Sequence, residues 1–194
     1  MPRSLVEIGE DKELCMHEIL KTFGRKMVKN ENQFEPCKCS RLCDHEDALH
    51  VLNNSKGTEK VEALRLEFGD GTEGNIFFGC DQFKGLQSLR FLKLDQADIR
   101  GNFADRLLSL RWLDWRGCPK IFDDQLDMNL KNLVILDLSW SPVDEDWRGW
   151  ELLKKPRKLK VLELTGCVHL NATPKFPASM ELERLILEGM QSPP

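Results

Sequence analysis

Leucines recur through the second half of the chain at one spacing, in which two apolar residues are separated by a single residue. Each copy has an anchor leucine, and the anchors are Leu64, Leu92, Leu113, Leu136, Leu162 and Leu185. They lie 28, 21, 23, 26 and 23 residues apart, within the period of about 20–29 residues typical of leucine-rich repeats. Each Leu-x-Leu predicts a short strand whose leucines point inward, and stacked neighbours bury them. The pattern predicts an α/β leucine-rich-repeat solenoid of about six repeats.

The strand residues that alternate with the leucines are expected to form the concave face of this solenoid. One lateral row is largely apolar (Phe91, Trp112, Ile135, Val161), and the next is charged (Lys93, Asp114, Asp137, Glu163). One interpretation is a solvated face whose charges keep the chain soluble. The other is a partner-binding stripe whose acidic row meets basic residues. The candidate binding residues are Phe91, Lys93, Trp112, Asp114, Arg116, Ile135, Asp137, Glu163 and Arg184.

The segments between the predicted strands contain small residues and tryptophans at defined positions. Cys118 and Cys167 lie three residues past the second apolar strand position, where a small buried residue is expected as the chain turns away. We interpret both as structural thiols, because buried cysteine usually behaves as a small hydrophobic residue. Trp147 and Trp150 lie in the longest insertion and have two interpretations, as packing residues or as an exposed contact hot spot.

The first sixty residues lack the leucine repeat and predict a different module. Residues 4–8 and 13–16 predict a hairpin, and apolar spacing over 17–29 predicts an amphipathic helix. Asp44 is a candidate N-cap for a second helix that ends near Asn53. A hairpin followed by helices is typical of the end of a winged-helix unit, so we expect a small α+β winged-helix remnant over 1–58 and leucine-rich repeats over 59–194. Mixed charge on these helices argues against DNA binding.

Composition and charge exclude several classes of protein. The 28 Lys+Arg and 32 Asp+Glu give a net charge of −4, which lacks the basic field of a dedicated nucleic-acid binder. No apolar run approaches the roughly 20 residues of a membrane-spanning helix. The seven cysteines, without a secretory signal, favour reduced thiols inside a cell. Cys37, Cys39, Cys43 and His45 offer ligands for zinc, but their spacing matches no common zinc module.

Several strings along the chain resemble the plant disease-resistance receptors that combine a TIR domain, a nucleotide-binding NB-ARC region and leucine-rich repeats. In the first module these strings are 4–8, 16–20 and 24–28, followed by 40–42, 44–48 and 56–62. In the repeats they are 112–119 and 164–167. The resemblance covers nearly the whole chain, and its motifs occur in the order that they have in the family.

The resemblance implies that Met16, His17 and Glu18 occupy the position of the family's Met-His-Asp triad, whose histidine reaches the β-phosphate of bound ADP. Glu18 departs from the usual aspartate, which puts autoinhibition in doubt, and the alternative for His17 is an ordinary polar residue at a helix start. The phosphate loop GxxxxGK[ST] does not occur in the sequence. We therefore expect no cofactor for this chain, although ADP or ATP is implied for the full-length family, and we expect no enzymatic activity.

The resemblance further implies an immune function in the cytoplasm or nucleus, with a pathogen effector or the receptor's own NB-ARC region as protein partner. We expect no nucleic-acid or membrane partner. Two alternatives stay open: a freestanding leucine-rich-repeat adaptor, and a truncated gene product without function. Because the sequence stops directly after a repeat strand, we also expect self-association through uncapped repeats.

Overall fold

The chain is described by a computed structural model over residues 6–8, 14–32, 34–69, 76–121, 125–154, 158–172 and 181–189. Two α-helices are described, α1 (Glu18–Glu31) and α2 (His45–Asn53), together with short 3-10 helices at Pro36–Lys38, Cys80–Phe83 and Arg148–Lys154. The strands are β1 (Val6–Ile8), β2 (Leu14–Met16), β3 (Arg41–Leu42), β4 (Ala63–Glu67), β5 (Phe77–Gly79), β6 (Phe91–Asp95), β7 (Asp98–Arg100), β8 (Asn102–Phe103), β9 (Trp112–Arg116), β10 (Asp127–Met128), β11 (Ile135–Asp137), β12 (Val161–Glu163) and β13 (Arg184–Ile186).

The N-terminal elements agree with the predicted hairpin and helices. Strands β1 and β2 pair antiparallel, and α1 follows with the apolar residues Ile19, Phe23 and Met27 exposed. The Asp44 carboxylate caps α2, because its Oδ1 accepts hydrogen bonds from the backbone N–H groups of Glu46 and Asp47. A side-chain acceptor at this position satisfies N–H groups that have no partner inside the helix.

A seven-stranded parallel sheet forms the centre of the described structure. Its strand order is β13-β12-β11-β9-β6-β4-β3. The strands of this sheet therefore lie side by side in the order in which they occur along the chain. A mostly parallel sheet with few helices is compatible with the predicted α/β class. Strand β3 pairs with β4, and α2 buries Ala48, Val51 and Leu52 in the same core. The boundary between 58 and 59 stays a prediction, and elements on both sides of it share this sheet and core.

The register of the sheet places the predicted anchor leucines side by side. Leu64, Leu92, Leu113, Leu136, Leu162 and Leu185 are lateral partners along the sheet. The first five are buried, with at most 2% of their surface exposed. Because strand side chains alternate between the two faces of a sheet, this register directs every second residue of each strand away from the leucine core. The Leu-x-Leu pattern therefore predicts both the strands and their alignment correctly.

Two smaller parallel pairs, β5 with β7 and β8 with β10, complete the described strands. Their apolar residues join the core of the large sheet, among them Phe78, Ile99, Phe103 and Met128. Phe83, from the 3-10 helix at Cys80–Phe83, packs edge-on against Phe103 with ring centroids 5.3 Å apart. Aromatic side chains thus fill the space opposite the leucine rows.

A left-handed backbone turn follows five of the sheet strands at the same offset. The fifth residue after the first position of β6, β9, β11, β12 and β13 has a positive φ: Gln96, Gly117, Trp140, Gly166 and Gly189. Glycine adopts this conformation without a steric cost. A Cβ on Gly166 would also lie 2.5 Å from Cε3 of Trp140. Any larger residue at position 166 would therefore clash with the Trp140 ring.

Candidate functional site

The candidate site is the face of the seven-stranded sheet that points away from the leucine core, called the open face below. Its first row runs along the strand starts and is called the apolar row: Arg41, Ala63, Phe91, Trp112, Ile135, Val161 and Arg184. Its second row lies two residues further along each strand and is called the charged row: Arg65, Lys93, Asp114, Asp137, Glu163 and Ile186. The structure thus brings the sequence-predicted binding residues onto one surface.

Two aromatic side chains project from the apolar row. Phe91 is 45% exposed and Trp112 is 42% exposed, and their ring centroids lie 6.2 Å apart in an edge-to-face arrangement. A hollow of about 210 Å³ lies beside them. Its lining includes both rings, the apolar residues Leu42, Ala63, Leu64 and Leu92, and the polar residues Cys43, Arg65, Lys93 and Asp114. Exposed aromatic surface beside a hollow is typical of protein contact sites.

Ion pairs within and between strands connect the charged row to Glu67 and Arg116, which lie two residues further along β4 and β9. The Lys93 ammonium lies 3.0 Å from Glu67 and 3.6 Å from Asp114. The Arg116 guanidinium lies 3.1 Å from Asp114 and 3.0 Å from Asp137. Arg65 pairs with Glu67 as well. Cations and carboxylates therefore alternate across β4, β6, β9 and β11.

Burial changes the interpretation of the predicted acidic row. Asp114 and Asp137 are only 9% and 4% exposed, because the cations of their own and adjacent strands lie over them. Oδ1 of Asp137 also accepts a hydrogen bond of 2.8 Å from the backbone N–H of Ser139. Two of the three carboxylates expected to meet a basic partner are therefore engaged inside the chain.

Two carboxylates of this ion-pair network, Glu67 and Asp114, have pKa values shifted in opposite directions. Arg65, and secondly Lys93, lower the pKa of Glu67 to about 2. Burial raises the pKa of Asp114, and the nearby Asp137 adds to this, while Arg116 and Lys93 oppose it. An ionised Glu67 is thus favoured by its cations, whereas an ionised Asp114 is opposed by loss of water.

The remaining candidates from the repeat segments have structural contacts. Cys118 and Cys167 are fully buried, and burial raises the pKa of the Cys118 thiol to about 12. Trp147 is 5% exposed and donates from Nε1 to the Pro119 carbonyl, and it packs edge-on against Trp150. These contacts confirm the packing interpretation for Trp147.

Two of the four candidate zinc ligands, Cys39 and His45, contact other parts of the chain. Cys39 is buried, and its thiol donates to the Asn32 carbonyl. His45 accepts a hydrogen bond at Nδ1 from the backbone N–H of Glu67 and packs edge-on against Phe68. In the described ranges, no group of three or more His, Cys, Asp or Glu side chains is placed to hold a metal ion.

Comparison with known proteins gives relatives along nearly the whole chain. Disease resistance protein RPP5 of Arabidopsis thaliana is 28% identical over 194 residues, covering 98% of this chain and 13% of that protein. Disease resistance protein RPP2A of the same species is 30% identical and covers 87% of this chain. Disease resistance protein RPV1 of Vitis rotundifolia is 26% identical and covers 93%. The chain is related to plant disease resistance proteins.

These relatives confirm the resemblance drawn from the sequence motifs. The chain spans 13–19% of the length of the relatives whose alignment includes 98% of it, so the similarity is to one portion of each of those proteins. No family model matches the chain, and no solved structure matches it. Among the described residues, no helix has the length and apolar character needed to cross a membrane.

The triad that the disease resistance resemblance assigns to nucleotide sensing lies where β2 meets α1. Nδ1 of His17 accepts a hydrogen bond of 3.2 Å from the backbone N–H of Ile19, so this histidine caps α1. Glu18 forms ion pairs of 3.5 Å with Lys21 and Arg25, and Met16 is partly exposed at the end of β2. His17 therefore has a structural role in the helix start, while its role toward a nucleotide stays a prediction.

Proposed function

We propose that this chain is the part of an intracellular plant immune receptor that joins the end of the nucleotide switch, residues 1–58, to a leucine-rich-repeat solenoid, residues 59–194. Its function in defence signalling is to bind protein through the open face, either a pathogen effector or the receptor's own NB-ARC region. The observation that carries the proposal is the exposed Phe91–Trp112 pair on the sheet of a chain related to disease resistance proteins.

Two structural features support the interpretation as a solenoid of about six repeats. The anchor leucines are lateral partners from β4 to β13, and the left-handed turn recurs at one offset after five strands. Both features are expected when one structural unit is stacked along an axis, because each unit then contacts its neighbours in the same way.

The proposal assigns no chemistry to this segment by itself. The His17 cap uses one ring nitrogen for the α1 backbone, and the sequence lacks the phosphate loop whose N–H groups would cradle a nucleotide. We therefore expect no measurable ADP binding by the 194-residue chain in isothermal titration calorimetry. Micromolar affinity for ADP would contradict this part of the proposal.

The membership of a longer receptor is tested by sequencing the full transcript from both ends. The proposal expects an in-frame phosphate loop upstream of residue 1, preceded by TIR codons. A transcript that encodes an unrelated upstream domain would overturn the receptor assignment. A transcript that encodes only these residues would favour the freestanding adaptor instead.

The role of the open face is tested in the encoded receptor, expressed in leaf tissue and scored by ion leakage. We expect Phe91→Ala to change the response, either to constitutive cell death if the face holds the switch region or to loss of response if it binds an effector. Phe34→Ala is the matched control, because Phe34 is 91% exposed and lies outside the sheet. An unchanged response for Phe91→Ala would contradict a binding role.

A further inference from the structure

We propose that the open face binds an acidic segment of a partner protein, which places one large apolar side chain in the hollow beside Phe91 and Trp112. The inference rests on the proposed protein-binding function and specifies the chemistry of the partner. The charge inferred for the partner is opposite to the one expected from the sequence, in which an acidic row meets a basic partner.

The carboxylates nearest the hollow are already neutralised. Glu67 is shared by Arg65 and Lys93, and Asp114 is shared by Lys93 and Arg116. Asp137 pairs with Arg116 and is almost fully buried. A basic partner would have to break these pairs before gaining its own, and the net gain would be small.

An exposed arginine beside the hollow has no such partner. Arg41 lies in register beside Ala63 at the start of the apolar row. Its side chain is exposed and forms no ion pair or hydrogen bond within the described ranges. The charge available to a ligand on this side of the hollow is therefore positive.

The hollow has the size of a single side chain. Its volume of about 210 Å³ is below the roughly 300–1,000 Å³ of sites for drug-sized ligands, and it suits a single apolar side chain. Ala63 leaves the space open, because its side chain is much smaller than those of its neighbours in the row, Arg41 and Phe91. An apolar anchor surrounded by a polar rim is the usual anatomy of a protein contact.

Arginine and aromatic residues together also occur in sites for single-stranded RNA. Here the two rings meet edge-to-face, which leaves no pair of parallel ring faces for successive bases. The buried carboxylates of the charged row lie directly beside them, and the chain carries a net charge of −4. These features favour a short acidic peptide over a continuous phosphate backbone.

The test is a selection from a random peptide library, by messenger-RNA display, on the immobilised 194-residue chain. Peptides that are enriched are then synthesised, and their affinities are measured by fluorescence anisotropy. We expect an aromatic residue, Leu or Met with Asp or Glu at neighbouring positions. Phe91→Ala should weaken binding about 30-fold, and Arg41→Ala about 10-fold.

The control variant and the possible outcomes distinguish an error in the charge of the partner from an error in the proposed protein-binding function. Lys84→Ala is the matched control, because it removes an exposed cation outside the sheet and should leave the affinity unchanged. Enrichment of basic peptides that still require Phe91 would overturn the acidic polarity and leave protein binding in place. Absence of any peptide that depends on Phe91, or tighter binding of an oligouridine RNA to the same face, would overturn both.

Discussion

The two faces of the large sheet are built from the same strands and differ in almost every physical respect. Leu92 and Leu113 are each 1% exposed, whereas their neighbours Phe91 and Trp112 are 45% and 42% exposed. Aliphatic burial holds one face together, and ion pairs between strands hold the other. One residue step along a strand therefore decides whether a substitution acts mainly on stability or mainly on recognition.

The largest expected effect is on the leucine face. Leu113→Ala should lower the free energy of unfolding by about 2–5 kcal/mol, because it removes buried methyl groups and leaves a cavity between β6 and β11. Urea unfolding followed by tryptophan fluorescence measures this loss. Phe91→Ala is the comparison on the opposite face and should cost less than about 1 kcal/mol. Equal losses for the two variants would remove the distinction between the faces.

An intermediate effect is expected within the charged row. Asp137→Ala leaves the buried Ser139 N–H without its acceptor and Arg116 with one carboxylate fewer, which should cost about 1–3 kcal/mol. Asp114→Asn should cost less, because burial already opposes ionisation of Asp114 and raises its pKa. Thermal unfolding of both variants gives the comparison. A larger loss for Asp114→Asn would show that this carboxylate carries the network.

A smaller effect with a defined pH dependence is expected at Glu67. Its pKa is lowered from 4.5 to about 2 in the folded chain, so its ionised form stabilises the fold above pH 4.5 and this contribution is lost as the pH falls toward 2. Glu67 is about a third exposed, and solvent screening reduces the contribution to about 1 kcal/mol.

The measurement is the unfolding free energy of the wild type and of Glu67→Gln over a range of pH. The wild type should be more stable near neutral pH, and the difference should shrink below pH 4.5 and vanish only below pH 2. A difference that stays constant down to pH 2 would show that the carboxylate charge does not stabilise the fold.

Local sequence patterns predict much of this architecture. Leu-x-Leu spacing predicts the strands and their register, since burial of alternate residues fixes both, and Asp44 predicts the start of α2 through its side-chain acceptor. The apolar spacing of α1 predicts the helix, yet Phe23 and Met27 are exposed. Periodicity reports which residues share a face and does not report what covers that face.

The candidate site is harder to predict from the sequence, because its contacts join residues on neighbouring strands that are far apart along the chain. Arg116 lies over Asp137 from 21 residues away in sequence, so the neutralisation of the acidic row appears only when β9 and β11 are in register. Gln96 and Trp140 adopt the left-handed turn without being glycine, so the repeated turn is hidden from a search for Gly. Arg41 becomes distinctive only when its register beside Ala63 places it next to the hollow and no partner for it is found among the described residues.

On the open face, a small effect on stability should accompany a large effect on recognition. Trp112→Ala, measured against the peptides selected on the wild-type chain, tests whether the open face is a recognition surface. We expect at least a 10-fold loss of affinity with a change in unfolding free energy below about 1 kcal/mol. Unchanged affinity in a folded Trp112→Ala variant would contradict this role of the open face.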